Sequence, residues 1–240
     1  MAKVTGKDAA IYVKQYDLSG EGNRVSIAYA VDTVEATCFQ AGAKDYVEGN
    51  YAWTAGIDGY WANTGQASSA VFGLIGSGTQ IISIFPEGKS SGKVGYEGWG
   101  ILTSYNPEAL MTGAVVFSAD MQGDNSLYRT TMLNSGIKTY NGTSTARNLG
   151  TSDVTRGVYG VLRVLGTATE GTVIVKVQQC ATEGGSYADA LGFGTVAFGD
   201  APMVTLKAHG TAAGPWFKSV HTITGPSPSF NLTISCASEY

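Results

Sequence analysis

The alternation of large and small side chains between Tyr51 and Trp61 constrains this chain more than any other feature. Tyr51, Trp53, Ala55, Ile57, Gly59 and Trp61 keep period two over eleven residues, with Thr54 and Asp58 on the opposite face. Only an extended backbone sends alternate residues to opposite faces, so this segment reads as a strand. Its length exceeds that of a typical strand and suits a hairpin arm or a long sheet strand. The same period marks Val25, Ile27 and Tyr29, and residues 80–85, 98–105 and 114–121 are further strand candidates bounded by turn-forming residues.

One segment breaks the pattern. Ala67, Ala70, Val71, Leu74 and Ile75 fall at spacings of three and four, which predicts a short helix over residues 67–75, stopped by Gly76-Ser-Gly78. So short a helix cannot hold itself in water, so its apolar stripe is expected to pack on a sheet. Residues 134–156 are polar, rich in Gly, Ser and Thr, and read as a linker region. From Val158 strand patterns resume at 158–165, 172–178, 193–198, 203–208, 217–224 and 229–236. In the last of these Phe230, Leu232, Ile234 and Cys236 share one face. The expected architecture is all-β with one short helix: a β-sandwich or barrel over 1–135, a linker over 136–156, and a second, C-terminal β-sandwich over 157–240.

Composition narrows the function. Charged residues make up only 14% of the 240 residues, against roughly 25% in ordinary globular chains. Much of the surface must therefore be Ser, Thr, Gly and Asn, which suits a protein extensively covered by copies of itself. The net charge of −4 and the lack of a dense Lys/Arg run speak against tight nucleic-acid binding. A weakly acidic conduit would still let DNA slide, because repelled phosphate does not stick. The N-terminus lacks the apolar core of a secretory signal and no stretch approaches a membrane span, so the chain is expected to remain in the cytoplasm that makes it. Cys38, Cys180 and Cys236 are too few and scattered for a disulfide framework or a zinc site, and read as reduced and partly buried. A Cys180–Cys236 bridge is the alternative in an oxidising medium.

No constellation points to catalysis or to a cofactor. His209 and His221 have no Cys or carboxylate beside them at metal-ligand spacing. The acid pairs Asp17/Glu21 and Glu183/Asp189 lie in turn-like segments where carboxylates cap or solvate. Gly88-Lys-Ser90 fails as a phosphate loop because Ser83 stands where the pattern needs its first glycine. No Gly-x-Ser-x-Gly elbow or dinucleotide fingerprint is present. Asn141-Gly-Thr and Asn231-Leu-Thr match the glycosylation acceptor by chance. The aromatics allow a competing reading, a sugar-stacking platform, with Tyr187 and Trp216 the candidate glycan contacts.

The order of elements resembles the tail tube, or major tail, proteins of long-tailed bacteriophages. The resemblance rests on residues 8–130. Asp17-Leu-Ser-Gly20 with Asn23-Arg-Val25 looks like the opening turn and first strand, residues 43–59 like the extended loop, residues 67–76 like the flanking helix, and Pro86-Glu-Gly88 with residues 98–105 like the strands after it. The resemblance implies a structural virion protein rather than an enzyme. It implies rings of six, or pseudo-six, copies stacked into a tube around a tape-measure protein. It also implies contacts with tail terminator and baseplate or tip proteins, transient passage of DNA, and assembly in the host cytoplasm into the virion tail. Assembly interfaces are then expected at Tyr46, Glu48, Tyr51 and Trp53 and in the N-terminal segment from Lys3 to Tyr12. The strand from Tyr51 to Trp61 carries neither Lys nor Pro, the usual protection of an open sheet edge, and is expected to join its neighbour in the ring. The C-terminal half is similar to extensions that decorate such tubes.

Overall fold

The computed structural model describes residues 6–37, 43–62, 67–109, 111, 113–150, 157–167, 170–197, 199–200, 203–209 and 214–238. Its strands, in chain order, are β1 (Ala10–Val13), β2 (Tyr16–Asp17), β3 (Gly22–Glu35), β4 (Tyr46–Tyr60), β5 (Thr79–Phe85), β6 (Val94–Glu108) and β7 (Val116–Lys138). They continue with β8 (Gly142–Thr143), β9 (Arg147–Asn148), β10 (Val158–Thr167), β11 (Thr172–Cys180), β12 (Ala188–Ala197), β13 (Met203–His209), β14 (Trp216–Thr224) and β15 (Phe230–Ser238). One short helix, α1 (Ala67–Val71), runs into a 3-10 turn at Phe72–Leu74. The fold is all-β with one short helix.

Two compact units divide the chain. Unit one is built from Met1–Ser19, Ser83–Glu97 and Tyr128–Tyr240, and unit two from Gly20–Ile82 and Gly98–Leu127. The units are interleaved in sequence, whereas the boundaries read from the sequence follow one another at 135 and 157. The cause is strand length: β5, β6 and β7 each give residues to both units. Within the 136–156 segment read as a linker, β7 runs on to Lys138 and pairs with β15, and the short β8 and β9 pair with β14. Gly/Ser/Thr composition hid these strands, because a ladder needs only backbone groups.

Unit one is a sandwich of two antiparallel sheets. One runs β13-β10-β15-β7 and on to β1 and β2, and the other runs β12-β11-β14 with β8 and β9 along its edge. Alternate residues of β10, β11 and β15 face inward, so that Leu162, Val164, Val173, Val175, Phe230 and Ile234 form one core with Phe217. Cys180 and Cys236 are buried as free thiols, so the bridge alternative is not formed. Burial and the nearby Glu97 carboxylate push the Cys236 thiol above its ordinary value.

Inside unit one lies a buried ion pair. Arg163 and Glu97 are both essentially without solvent, at 3.2 Å. The guanidinium also donates to Ser83 Oγ at 2.6 Å and to the Lys14 carbonyl at 2.9 Å, while Ser235 Oγ donates to Glu97 at 2.5 Å. Lys14 adopts a left-handed backbone (φ 56°) at the β1–β2 turn that presents this carbonyl. Each charge taken out of water costs several kcal/mol, and only this many partners offset it.

Unit two is built on β4, which pairs with β3 on one side and with residues 116–122 of β7 on the other. Trp53, Ala55 and Ile57 point into its core with Phe117 and Met121. Trp53 lies in a cradle of glycines: a Cβ on Gly123 would stand 2.3 Å from its Nε1, and one on Gly98 2.9 Å from its ring. Of the apolar stripe Val71 and Leu74 are buried, while Ile75 at its end is exposed. Its α-helical part is shorter than residues 67–75, and Gly76 and Gly78, both at positive φ, end the segment as expected. Glu21 accepts from the Ser68 amide at 2.7 Å, and Tyr105 Oη donates to the Ser68 carbonyl at 2.6 Å, fixing the helix through both backbone groups of one residue. No helix among the described residues is long and apolar enough to cross a membrane.

Candidate assembly interface

β3 and β4 pair from Gly22 opposite Gly59 to Glu35 opposite Tyr46, but β7 covers β4 only from Thr54 to Tyr60. The remaining residues, 29–35 of β3 and 46–53 of β4, form a two-stranded ribbon. Register places Val25, Ile27, Tyr29 and Val31 on the same face as Ile57, Ala55, Trp53 and Tyr51. Along that face Ile57, Ala55 and Trp53 are buried, with Trp53 only 2% exposed, while Tyr51, two residues further, is 58% exposed. The apolar row of the core therefore continues onto a surface that no other described residue covers. Tyr29 and Tyr51 stack on each other there, their centroids 5.8 Å apart.

Beyond the bulge between Val31 and Thr33, Val34 pairs with Val47 and Glu35 with Tyr46, and Val34, Val47 and Tyr46 are all exposed. Polar bonds brace the far end. Lys44 meets Glu35 at 2.8 Å, Thr37 donates to the same carboxylate at 3.0 Å, and the Ala36 amide donates to the Asp45 carbonyl at 2.8 Å. The Lys44 and Thr37 hydrogen bonds hold the Glu35 carboxyl below its usual range. Tyr51 Oη donates to Glu48, which raises the phenol above its ordinary value. These are solvated contacts worth little each, and a lone two-stranded ribbon is marginal in water.

The expected interface residues divide on this geometry. Tyr46, Glu48 and Tyr51 are exposed along the ribbon. Trp53 and Tyr12 are not: Trp53 fills the glycine cradle, and Tyr12 is wholly buried beneath Arg163, whose Cζ lies 5.2 Å from its ring centroid. Burial raises the Tyr12 phenol. Both therefore serve their own unit's packing. Lys3 lies outside the described residues. The open edge also moves. Tyr51–Trp61 was to carry it, but residues 54–60 are paired on both sides, and among the described residues it is β3 that pairs only with β4. β3 has neither Lys nor Pro and a single Arg, at position 24.

Tyr29, which the sequence places in one row with Val25 and Ile27 but not at an interface, is exposed here, as are Val31, Val34 and Val47. Their signal is present: Tyr29 and Val31 continue the period-two row of Val25 and Ile27 past the point where a strand of ordinary length ends. The two glycan candidates also separate. Tyr187 donates to the Glu183 carbonyl at 2.9 Å and has Lys218 Nζ 4.0 Å from its ring centre, so one ring face is occupied. Trp216 is half-buried and lines an open groove that Tyr187 does not line. No group of three His, Cys, Asp or Glu side chains placed to hold a metal occurs among the described residues.

No family model matches the sequence, and no curated protein matches it. Similar solved structures come from phage and gene-transfer-agent tails and from an adsorption hub. The tail of an empty gene transfer agent particle, of C6 symmetry, is 18% identical over 53% of this chain and 98% of that one, with a TM-score of 0.42. The SPP1 tail tube is 11% identical over 51% of this chain and 77% of its own, at 0.43. The SPP1 Dit protein, described as a hub adsorption apparatus in phages infecting Gram-positive hosts, is 11% identical over 95% and 98%, at 0.39.

Proposed function

We propose that this chain is a structural virion protein, the major subunit of a phage tail tube, which polymerises with copies of itself. The observation that carries this is the uncovered ribbon. Tyr29, Val31, Val34, Tyr46, Val47 and Tyr51 expose apolar surface on a two-stranded element that is marginal alone, beside a β3 edge with free backbone groups. A second copy of the chain supplies what is missing on both counts: apolar cover for the rows and a partner for the edge. Identical subunits that join one surface to a different surface close into rings or extend as helical filaments. In this reading the rings stack around a tape-measure protein, the tube is closed by tail terminator and baseplate or tip proteins, and DNA passes through the lumen at ejection. The protein turns nothing over. It is assembled in the host cytoplasm, and its place is the virion tail.

Negative-stain electron microscopy of the purified chain across a concentration series tests this. Hollow tubes or stacked rings are the expected result. A chain that stays monomeric at the highest concentration overturns self-polymerisation.

A further inference from the structure

Unit one holds a groove whose chemistry differs from that of the ribbon. Two cavities, of about 640 Å³ and about 400 Å³, share Thr145 in their walls and so adjoin. Arg129, Arg147 and Trp216 line the larger, and Lys138 and His221 the smaller. Against these cationic and basic groups the only acid in either wall, among the described residues, is Glu183. In a chain of net charge −4 such a concentration of basic groups is local, and low-dielectric walls focus its field on whatever enters.

The strands hold these groups in place. Asn148 and Arg147 on β9 pair with Trp216 and Phe217 on β14, so the indole and the Asn148 amide are cross-strand neighbours. Arg129 and Thr131 stand two residues apart on β7 and so share a face. Gly92, at φ 89°, has no side chain to obstruct Arg147: a Cβ there would stand 2.9 Å from its Cζ. Among the described residues the Arg147 side chain makes only long bonds, to Ser91 O at 3.2 Å and Ser91 Oγ at 3.4 Å, and its Nε is buried without a partner there. His221 Nδ1 is likewise buried without a partner. The Arg129 guanidinium is exposed.

We infer that this groove binds an acidic saccharide, a short sugar chain bearing carboxylate or phosphate groups. The Trp216 ring offers an apolar face to a sugar ring. Arg129 and Arg147 supply the fork-shaped donors that suit carboxylate and phosphate alike. The hydroxyls of Thr131, Thr145 and Ser144 match sugar hydroxyls. Single-stranded nucleic acid would ask for successive stacking platforms, and among the described residues Trp216 is the one Phe, Tyr or Trp that lines the groove. This inference does not rest on tube formation, and its test is read separately.

The experiment is calorimetric titration of the full chain with oligogalacturonate and with dextran phosphate. Their uncharged counterparts, the methyl ester and plain dextran, and single-stranded DNA serve as comparisons. Saturable binding of at least one anionic sugar is expected, with the two probes distinguishing carboxylate from phosphate as the anion. Arg129→Gln, an exposed change that leaves the fold alone, weakens binding about tenfold, the worth of one charge-assisted contact. Trp216→Ala weakens it for charged sugars while tubes still form. The inference is overturned if neither anionic sugar binds, if the neutral counterparts bind equally, if DNA binds more tightly, or if Arg129→Gln binds like the parent.

Discussion

Arg163 and Tyr51 stand at opposite ends of what this molecule does with its surface. Arg163, a charged residue, is 1% exposed and every bond it makes is internal, with Glu97, Ser83 and the Lys14 carbonyl around it. Tyr51, an aromatic residue, is 58% exposed, with only Tyr29 stacked on it and Glu48 at its hydroxyl. The core of unit one has completed its interactions within the chain; the ribbon has not. The six exposed apolar side chains of the ribbon are the observation on which the proposed self-assembly rests.

The sharpest way to break the first half of that comparison is to remove one charge. Glu97→Ala leaves the Arg163 guanidinium buried without its counter-charge, and a loss of about 3–5 kcal/mol in unfolding free energy is expected from denaturant titration. The double variant Glu97→Leu with Arg163→Met recovers part of that loss, because no charge is left unpaired, while Ser83, Ser235 and the Lys14 carbonyl lose their partners. A double variant as unstable as the single would show that the network does more than neutralise itself.

Next in size is the cradle of unit two. Gly123→Ala puts a methyl group 2.3 Å from Trp53 Nε1, where neither backbone nor indole can move cheaply. A cost of about 1–3 kcal/mol is expected, with a shifted tryptophan emission spectrum as the indole is displaced. An unchanged spectrum and midpoint would mean that the cradle is looser than its contacts.

The cradle also shows what could be read from the sequence and what could not. Period two in β4 and β15 identified both strands and their inward faces, and Gly76-Ser-Gly78 marked the helix stop, since these are local properties of backbone and side-chain spacing. Cover is not local. Trp53 and Tyr51 are two residues apart on one face of one strand, and the alternation that makes both strand residues is silent on which has Gly98 and Gly123 packed against its ring. The same limit explains the buried pair: Arg163 and Glu97 are 66 positions apart, and each alone reads as a surface charge. It explains the interleaved units too, because a pattern identifies β7 as extended but cannot say that its two ends serve different cores.

A smaller effect is expected at His221. Burial and the nearby Lys138 charge lower its pKa, against a weaker opposing hydrogen bond that the ring donates to the Tyr140 backbone. A histidine less basic in the fold than in the unfolded chain lets the unfolded state take up the proton first. Its contribution is therefore fully present above the unfolded value near 6.5 and is lost as pH falls through the lower folded value. Stability measured between pH 7.5 and 5 should fall, and His221→Gln should flatten that slope. An equal slope in both proteins would assign the acid sensitivity elsewhere.

The smallest effect on stability, and the one that tests the comparison most directly, is expected on the ribbon. Tyr51→Lys removes only the exposed stacking on Tyr29 and the bond to Glu48, and Val34→Lys changes an exposed side chain, so each should change the unfolding free energy of the monomer by no more than about 0.5 kcal/mol. Lysine on an exposed strand also blocks edge pairing and apolar cover between copies. Polymerisation should therefore be lost while the fold is kept, visible as monomers by sedimentation under conditions where the parent chain forms tubes. If instead these variants unfold, the ribbon is held by contacts within the chain and its exposure has been misread. If they fold and still polymerise, copies of the chain join through some other surface, and the β13 and β12 edges of unit one, each paired on a single side among the described residues, become the place to look.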